Sequence, residues 1–225
     1  MQRRSFNHAL GATLAGSALW SPAWALSEGD AAQGIRQALQ RGAEAALALL
    51  GRKDGFLGNP NVKIPLPDHL EDAAKLLRSL GQGRRIDELV TAMNRAAEAA
   101  VPEARSLLVA AVRGISVQDG LRLVRGGDSA VTDFFVDKTR APLGEKFLPI
   151  ISTATERVAL AKKYNGVAGK AAGLGLVKPE DATIEKYVTR KSLDGLYYVI
   201  GEEERKIRRD PVATGSALLR RVFGG

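Results

Sequence analysis

Apolar residues recur every three to four positions through most of the chain, a period that predicts helices. From residue 30 to 50 the stripe is Ile35, Leu39, Leu47 and Leu50 with charges between, and Gly51 ends it. Asp68 reads as an N-cap for a helix to Leu80, Gly81-Gln82-Gly83 breaks it, and another helix runs over 84–100. Pro102 suits the first turn of a helix ending near Gly114, and Ser116 caps a short one to Arg125. Gly126-Gly127 turns the chain, and Asp128 caps the next helix. Helices are then expected over 142–158, with Leu143, Phe147, Ile150, Ile151 and Ala154, and over 160–172. After a linker at Pro179, Thr183 begins a short helix, and Thr189 or Ser192 begins a longer one to Arg209. The stripe of the longer helix is Leu193, Leu196, Tyr197, Ile200 and Ile207. Pro211 opens a last helix, ending at Phe223. About nine or ten helices with little strand make the fold class all-α, a multi-helix globular bundle.

One stretch breaks the pattern. Residues 54–68 carry Gly55, Gly58, Pro60, Pro65 and Pro67, interleaved with Phe56, Leu57, Val62, Ile64 and Leu66. The prolines forbid a helix, and the alternating apolar residues predict an extended insertion packed on the bundle. Loops this long in compact domains are uncommon and often functional.

The N-terminus is expected to be an export signal, residues 1–25. Arg3-Arg4 supply the positive start, a mild apolar stretch runs from Ala9 to Trp20, and Ala23-Trp24-Ala25 offers small residues before a cut between Ala25 and Leu26. The stretch is too short to span a bilayer. Arg-Arg-x-Phe with a mild apolar run resembles a twin-arginine signal, although Gln2 and Asn7-His8 depart from the usual pattern; general secretion stays open. Residues 26–225 are then a single helical domain, expected in the periplasm or secreted. Losing Arg3 and Arg4 lowers the net charge from +8 to +6, and both tryptophans, Trp20 and Trp24, leave with the signal.

The chain has no Cys, which removes disulfides and thiolate chemistry. Beyond His8 the one histidine is His69. A triad or an imidazole metal site therefore has little to build on, and no metal or cofactor is expected. The run Gly166-Val167-Ala168-Gly169-Lys170 lacks the spacing of a phosphate loop, and Gly169 and Gly173, four apart, read as a close helix contact. The basic pairs Arg84-Arg85, Lys162-Lys163, Arg190-Lys191, Arg208-Arg209 and Arg220-Arg221 are scattered and lack interleaved exposed aromatics, so nucleic acid is not an expected partner. Glu202, Glu203 and Glu204 ahead of Arg205 and Arg208 read as a solvated charged face.

Two polar clusters interrupt apolar helices. Asn94 and Glu98 share a face with Arg95 beside them, and Tyr164, Asn165 and Lys170 lie on another helix. If the clusters converge they line a polar ligand pocket; a structural hydrogen-bond network is the competing explanation, because buried polar groups need partners.

Several runs resemble a bacterial family known as domain of unknown function 4197. They are Gly55-Phe56-Leu57-Gly58-Asn59-Pro60, Met93-Asn94-Arg95-Ala96-Ala97-Glu98, Lys146-Phe147-Leu148-Pro149-Ile150, Tyr164-Asn165, Gly173-Leu174-Gly175-Leu176-Val177, Tyr187-Val188-Thr189-Arg190-Lys191, Asp194-Gly195-Leu196 and Asp210-Pro211-Val212-Ala213-Thr214-Gly215-Ser216. The resemblance implies an exported, mostly helical protein and brings no catalytic residues. The resulting expectation is a non-enzymatic binding or interaction protein of the cell envelope, its partner an anionic lipid, a cell-wall component or an envelope protein. The alternatives are a carboxylate-dependent enzyme acting on an envelope substrate and a purely structural role.

Overall fold

The computed structural model describes residues 28–210. The expected export signal with its cut after Ala25, and the last helix over 211–223, lie outside the described residues. Those described form eight α-helices joined by turns, with no strand among them: α1 (Glu28–Leu50), α2 (Glu71–Ser79), α3 (Gly83–Ala100), α4 (Ala104–Arg113), α5 (Val117–Arg125), α6 (Ala130–Thr155), α7 (Ala159–Gly173) and α8 (Ile184–Arg209). The all-α expectation holds.

The centre is built by α1, α3, α6 and α8, whose apolar stripes meet in one contiguous core. Ile35, Leu39 and Leu50 of α1, Phe135, Leu143 and Phe147 of α6, and Leu196 and Ile200 of α8 are all buried. The pairing of Ala38 with Ile207 and of Gly42 with Glu203 sets α1 antiparallel to α8. Close approach fixes two glycines. A Cβ on Gly120 of α5 would stand 2.6 Å from the Ala32 backbone of α1, and one on Gly195 of α8 would stand 2.7 Å from the Phe56 ring.

Several sequence expectations need correction. Pro142 does not begin a helix; it lies inside α6, as Pro149 also does. A proline inside a helix costs about 3 kcal/mol. Burying Phe135, Leu143, Phe147 and Ile151 along one face recovers about 1.5–3 kcal/mol for each, so burial wins. Likewise α8 is one continuous helix capped by Thr183, whose side chain accepts from the Lys186 backbone, rather than a short and a long one. Ser116 caps α5 as expected, in a reciprocal capping box with Asp119. Asp68 instead opens a tight three-residue turn, Asp68–Leu70, and makes no capping bond. Asp128 does not cap α6: Ser129 holds that position, and the cap is supplied from another helix.

That cap is Glu204 of α8. Its carboxylate accepts from the backbone N–H of Val131 (3.1 Å) and Thr132 (2.9 Å) and from the Thr132 hydroxyl (2.7 Å), at the positive end of α6. Arg208 completes the group at 2.9 Å and donates on to the Leu123 carbonyl. The solvated-face reading therefore fails for Glu204 and Arg208, both side chains being largely buried. It holds for Glu203 and Lys206, which pair at 2.7 Å near the surface.

The segment between α1 and α2 packs on the bundle through Phe56, Val62 and Ile64, all buried. It is less extended than its prolines imply: turns occupy 51–62, and only 63–67 runs extended into α2. On α7, Gly166, Gly169 and Gly173 contradict the close-packing expectation, since a Cβ at any of them would meet nothing within 4 Å.

Candidate functional site

On one flank, α2 and α7 both lean on α3. A cavity of about 300 Å³ lies between them. Ile86 and Leu89 of α3, both buried, are its floor. Ala73, Ala74 and Leu77 form the α2 wall, while Leu160, Tyr164, Val167 and Ala168 form the α7 wall. The volume sits at the lower end of the ~300–1,000 Å³ range of small-molecule sites, and the lining is almost wholly apolar, as such sites are. The surrounding surface is also unusual. Of seven large apolar residues left exposed among the described residues, Leu76, Leu80, Val167, Leu174 and Leu176 belong to α2, to α7 or to the turns just after them. Single exposed apolar residues are ordinary; of these five, Val167 lines the cavity itself.

Polar groups sit at the margins of this groove. His69 stacks on Tyr164 with ring centroids 5.6 Å apart. The Tyr164 hydroxyl donates to the Asp181 carbonyl at 2.5 Å, and burial, with lesser help from Asp181 and Glu185, pushes its pKa up to about 12. The phenol therefore stays protonated and remains a donor. A second cavity, of about 390 Å³, adjoins the start of α7 and shares Leu160 and Lys163 with the groove. Its lining mixes charged and apolar surface: Arg85, Glu88, Arg157 and Lys163 surround Val158, Ala159 and Leu160.

The residues singled out from sequence occupy two clamps. In the first, Glu98 Oε1 accepts from the backbone N–H groups of Phe56 (3.0 Å) and Leu57 (3.1 Å). Its other oxygen takes Arg95 at 2.6 Å, and Arg95 reaches Asp54 at 2.7 Å. These bonds, the one to Glu98 foremost, raise the guanidinium pKa further. Asn94 accepts from Ile64 N–H at 2.8 Å and donates to Ile64 O at 2.9 Å and to Val90 O at 2.8 Å. In the second clamp, Asn165 accepts from Ile184 N–H at 2.8 Å and donates to both Glu185 oxygens, at 2.9 and 3.1 Å. Lys170 is exposed on α7 and joins neither clamp. The two clusters do not hydrogen-bond to one another. Asn94, Arg95 and Glu98 hold the loop after α1, while Tyr164 and Asn165 hold the entry to α8.

A family model described as protein of unknown function (DUF4197) matches residues 25–224. The chain belongs to the DUF4197 family. No curated protein and no solved structure matches it. The runs that carry the resemblance acquire physical meaning from this DUF4197 structure. Met93 to Glu98 is the first clamp, and its partners are the backbone of the Gly55 to Pro60 run; Tyr164-Asn165 is the second; Asp194-Gly195-Leu196 is where Phe56 seats on α8.

Two other features of the DUF4197 chain have less to offer a ligand. A larger open cleft of about 710 Å³ between α6 and α8 is lined by Arg140 and Arg190, but these cations are taken by Asp194 (2.5 Å) and Asp181 (2.6 Å). The buried carboxylates Glu98 and Glu204 are saturated by backbone donors and arginines. Among the described residues no cluster of three or more His, Asp or Glu is placed to hold a metal, and no helix is long and apolar enough to cross a membrane.

The groove itself went unread in the sequence. Its walls are separated by roughly eighty residues, from Leu77 to Leu160, so their convergence is tertiary. One local signal existed: Leu76 on α2 and Leu80, one turn on and just past its end, remain exposed at 61% and 65%. They widen that helix's apolar surface beyond what its contact with α3 covers.

Proposed function

We propose that this DUF4197 protein is an exported, non-enzymatic binding protein of the cell envelope that holds an apolar ligand between α2, α3 and α7. The observation that carries the reading is the apolar cavity of about 300 Å³, with exposed Val167 in its lining and four more large exposed apolar residues on its two wall helices or the turns just after them. Packing alone gives a folded domain no reason to keep Leu76, Leu80, Val167, Leu174 and Leu176 in water. The enzyme alternative draws no support from the buried acids, whose oxygens are engaged in holding backbone. Five of the six residues chosen from sequence, Lys170 excepted, act here as scaffold: the two clamps set the loop before α2 and the segment that leads into α8, and Tyr164 also lines the groove.

Export is part of the same proposal. The family match begins at residue 25, one residue before the expected mature start at Leu26, so the match and the expected signal barely overlap. Changing Arg3→Lys and Arg4→Lys together blocks appearance in the periplasm if the twin-arginine route is used; undiminished export assigns the protein to general secretion. The binding reading is tested by calorimetric titration of the purified chain with decan-1-ol, an uncharged ten-carbon probe. Saturable binding that is lost in Ala73→Trp, which fills the groove from an exposed wall position, supports it. No binding, or binding indifferent to Ala73→Trp, removes it.

A further inference from the structure

We propose that the ligand is a single-chain anionic amphiphile, its hydrocarbon in the α2–α3–α7 groove and its head group in the polar cavity at the start of α7. This assignment rests on the groove reading above and adds the ligand's chemistry to it. The two cavities share Leu160 and Lys163, so one molecule can lie across both. Apolar lining gives way to charge at that junction.

Charge complementarity fixes the sign of the head. Arg85, Arg157 and Lys163 line the polar cavity, and the one acid among them, Glu88, is paired with Arg84 at 2.9 Å. Arg85 donates through one nitrogen to Gln82 at 2.9 Å, and its fork of five N–H groups keeps further donors. Arginine in this setting grips a carboxylate or phosphate by paired bonds, and lysine adds a point charge. The opening turn of α7 faces the same cavity through Val158, Ala159 and Leu160, and its dipole adds to the three cations.

Volume fixes the chain. A methylene occupies about as much room as a water in the liquid, roughly 30 Å³, so a groove of about 300 Å³ holds about ten. That accommodates one medium-length chain. Each methylene removed within that length weakens binding about fourfold, because burying one contributes about 0.8 kcal/mol.

The test compares sodium decanoate with decan-1-ol, both below their aggregation concentrations, on the purified chain at low salt. Decanoate binds about tenfold more tightly, the worth of one hydrogen bond to a charged group. The double variant Arg85→Glu with Arg157→Glu, at two exposed positions that line only the polar cavity, removes that preference and leaves decan-1-ol unaffected. Added salt does the same by screening. Ala73→Trp weakens both probes. Equal affinity for the two probes, unchanged in the double variant, overturns the head-group assignment while leaving the groove reading intact. Binding of neither probe sinks both, and a dimer that Val167→Glu dissociates would then assign the groove to a second copy of the chain. Circular dichroism establishes that each variant is folded, so no lost binding is mistaken for unfolding.

Discussion

Glu98 is the residue whose removal gives the sharpest test of how the loop after α1 is held. One oxygen, Oε1, accepts both the Phe56 and the Leu57 backbone N–H, and the other takes Arg95. Glu98→Ala leaves the buried Phe56 N–H without an acceptor, at about 1–3 kcal/mol, and the half-buried Leu57 N–H at the lower end of that range. Arg95 keeps Asp54, so its loss is that of a partly exposed pair, about 0–1 kcal/mol. The total is about 3 kcal/mol. One kcal/mol moves the midpoint by about 2–4 °C in a domain of this size, so Tm falls by about 6–12 °C. Glu98→Gln separates the parts: its amide oxygen still accepts both N–H groups, and only the Arg95 bond is lost, so its effect is about 1 kcal/mol. Thermal and urea unfolding followed by far-ultraviolet circular dichroism reads both. If Glu98→Ala and Glu98→Gln destabilise equally, or if neither moves Tm, the loop is held by Phe56 packing rather than by the carboxylate, and the argument is wrong.

Gly120→Ala and Gly195→Ala test close packing against helix propensity. Alanine is the better helix former by about 1 kcal/mol, yet both variants should lose about 1–3 kcal/mol net, because the new Cβ overlaps Ala32 or Phe56; a gain in urea midpoint for either would refute the approach distances. Glu204→Ala strips the start of α6 of its acceptor and leaves Arg208 without its carboxylate, and should destabilise by about 3–5 kcal/mol in the same assay. Alkaline pH tests the buried phenols. Burial raises Tyr164 to about 12 and also raises Tyr187 and Tyr197. A raised folded-state pKa gives stability that is intact below the ordinary phenol value of about 10 and is lost as pH climbs through the folded value. For Tyr164 that window is about 10 to 12. Tyrosinate absorbance should therefore rise together with loss of helix; ionisation of these three near pH 10 with the helices intact would contradict their burial.

Much of the fold was legible because helical periodicity is a local property. Ile35, Leu39, Leu47 and Leu50 on α1, and Leu193, Leu196, Tyr197, Ile200 and Ile207 on α8, are buried as their spacing requires. Caps were legible where the acceptor is local, at Ser116 and Thr183. They were not legible where it comes from elsewhere: no neighbour of Ala130 reveals that Glu204, more than seventy residues on, serves α6. Pro142 of α6 misled for a related reason, since its penalty is visible in sequence and the burial that outweighs it is not. Asn94, Arg95 and Glu98 stood out because polar residues in an Ala-rich helix must have partners; those of Asn94 and Glu98 proved to be largely backbone, and Arg95 joins Glu98 to Asp54. The apolar groove escaped notice because its floor and walls resemble any other core until their arrangement leaves a gap.

The three glycines of α7 bear on how anything enters that gap. No neighbour requires them, for a Cβ at 166, 169 or 173 would touch nothing, and each weakens the helix by about 1 kcal/mol relative to alanine. That lowers the intrinsic helical stability of one side of the groove. If the groove takes a chain as proposed, Gly166→Ala and Gly169→Ala should stiffen α7 and slow release of the guest without touching its contacts.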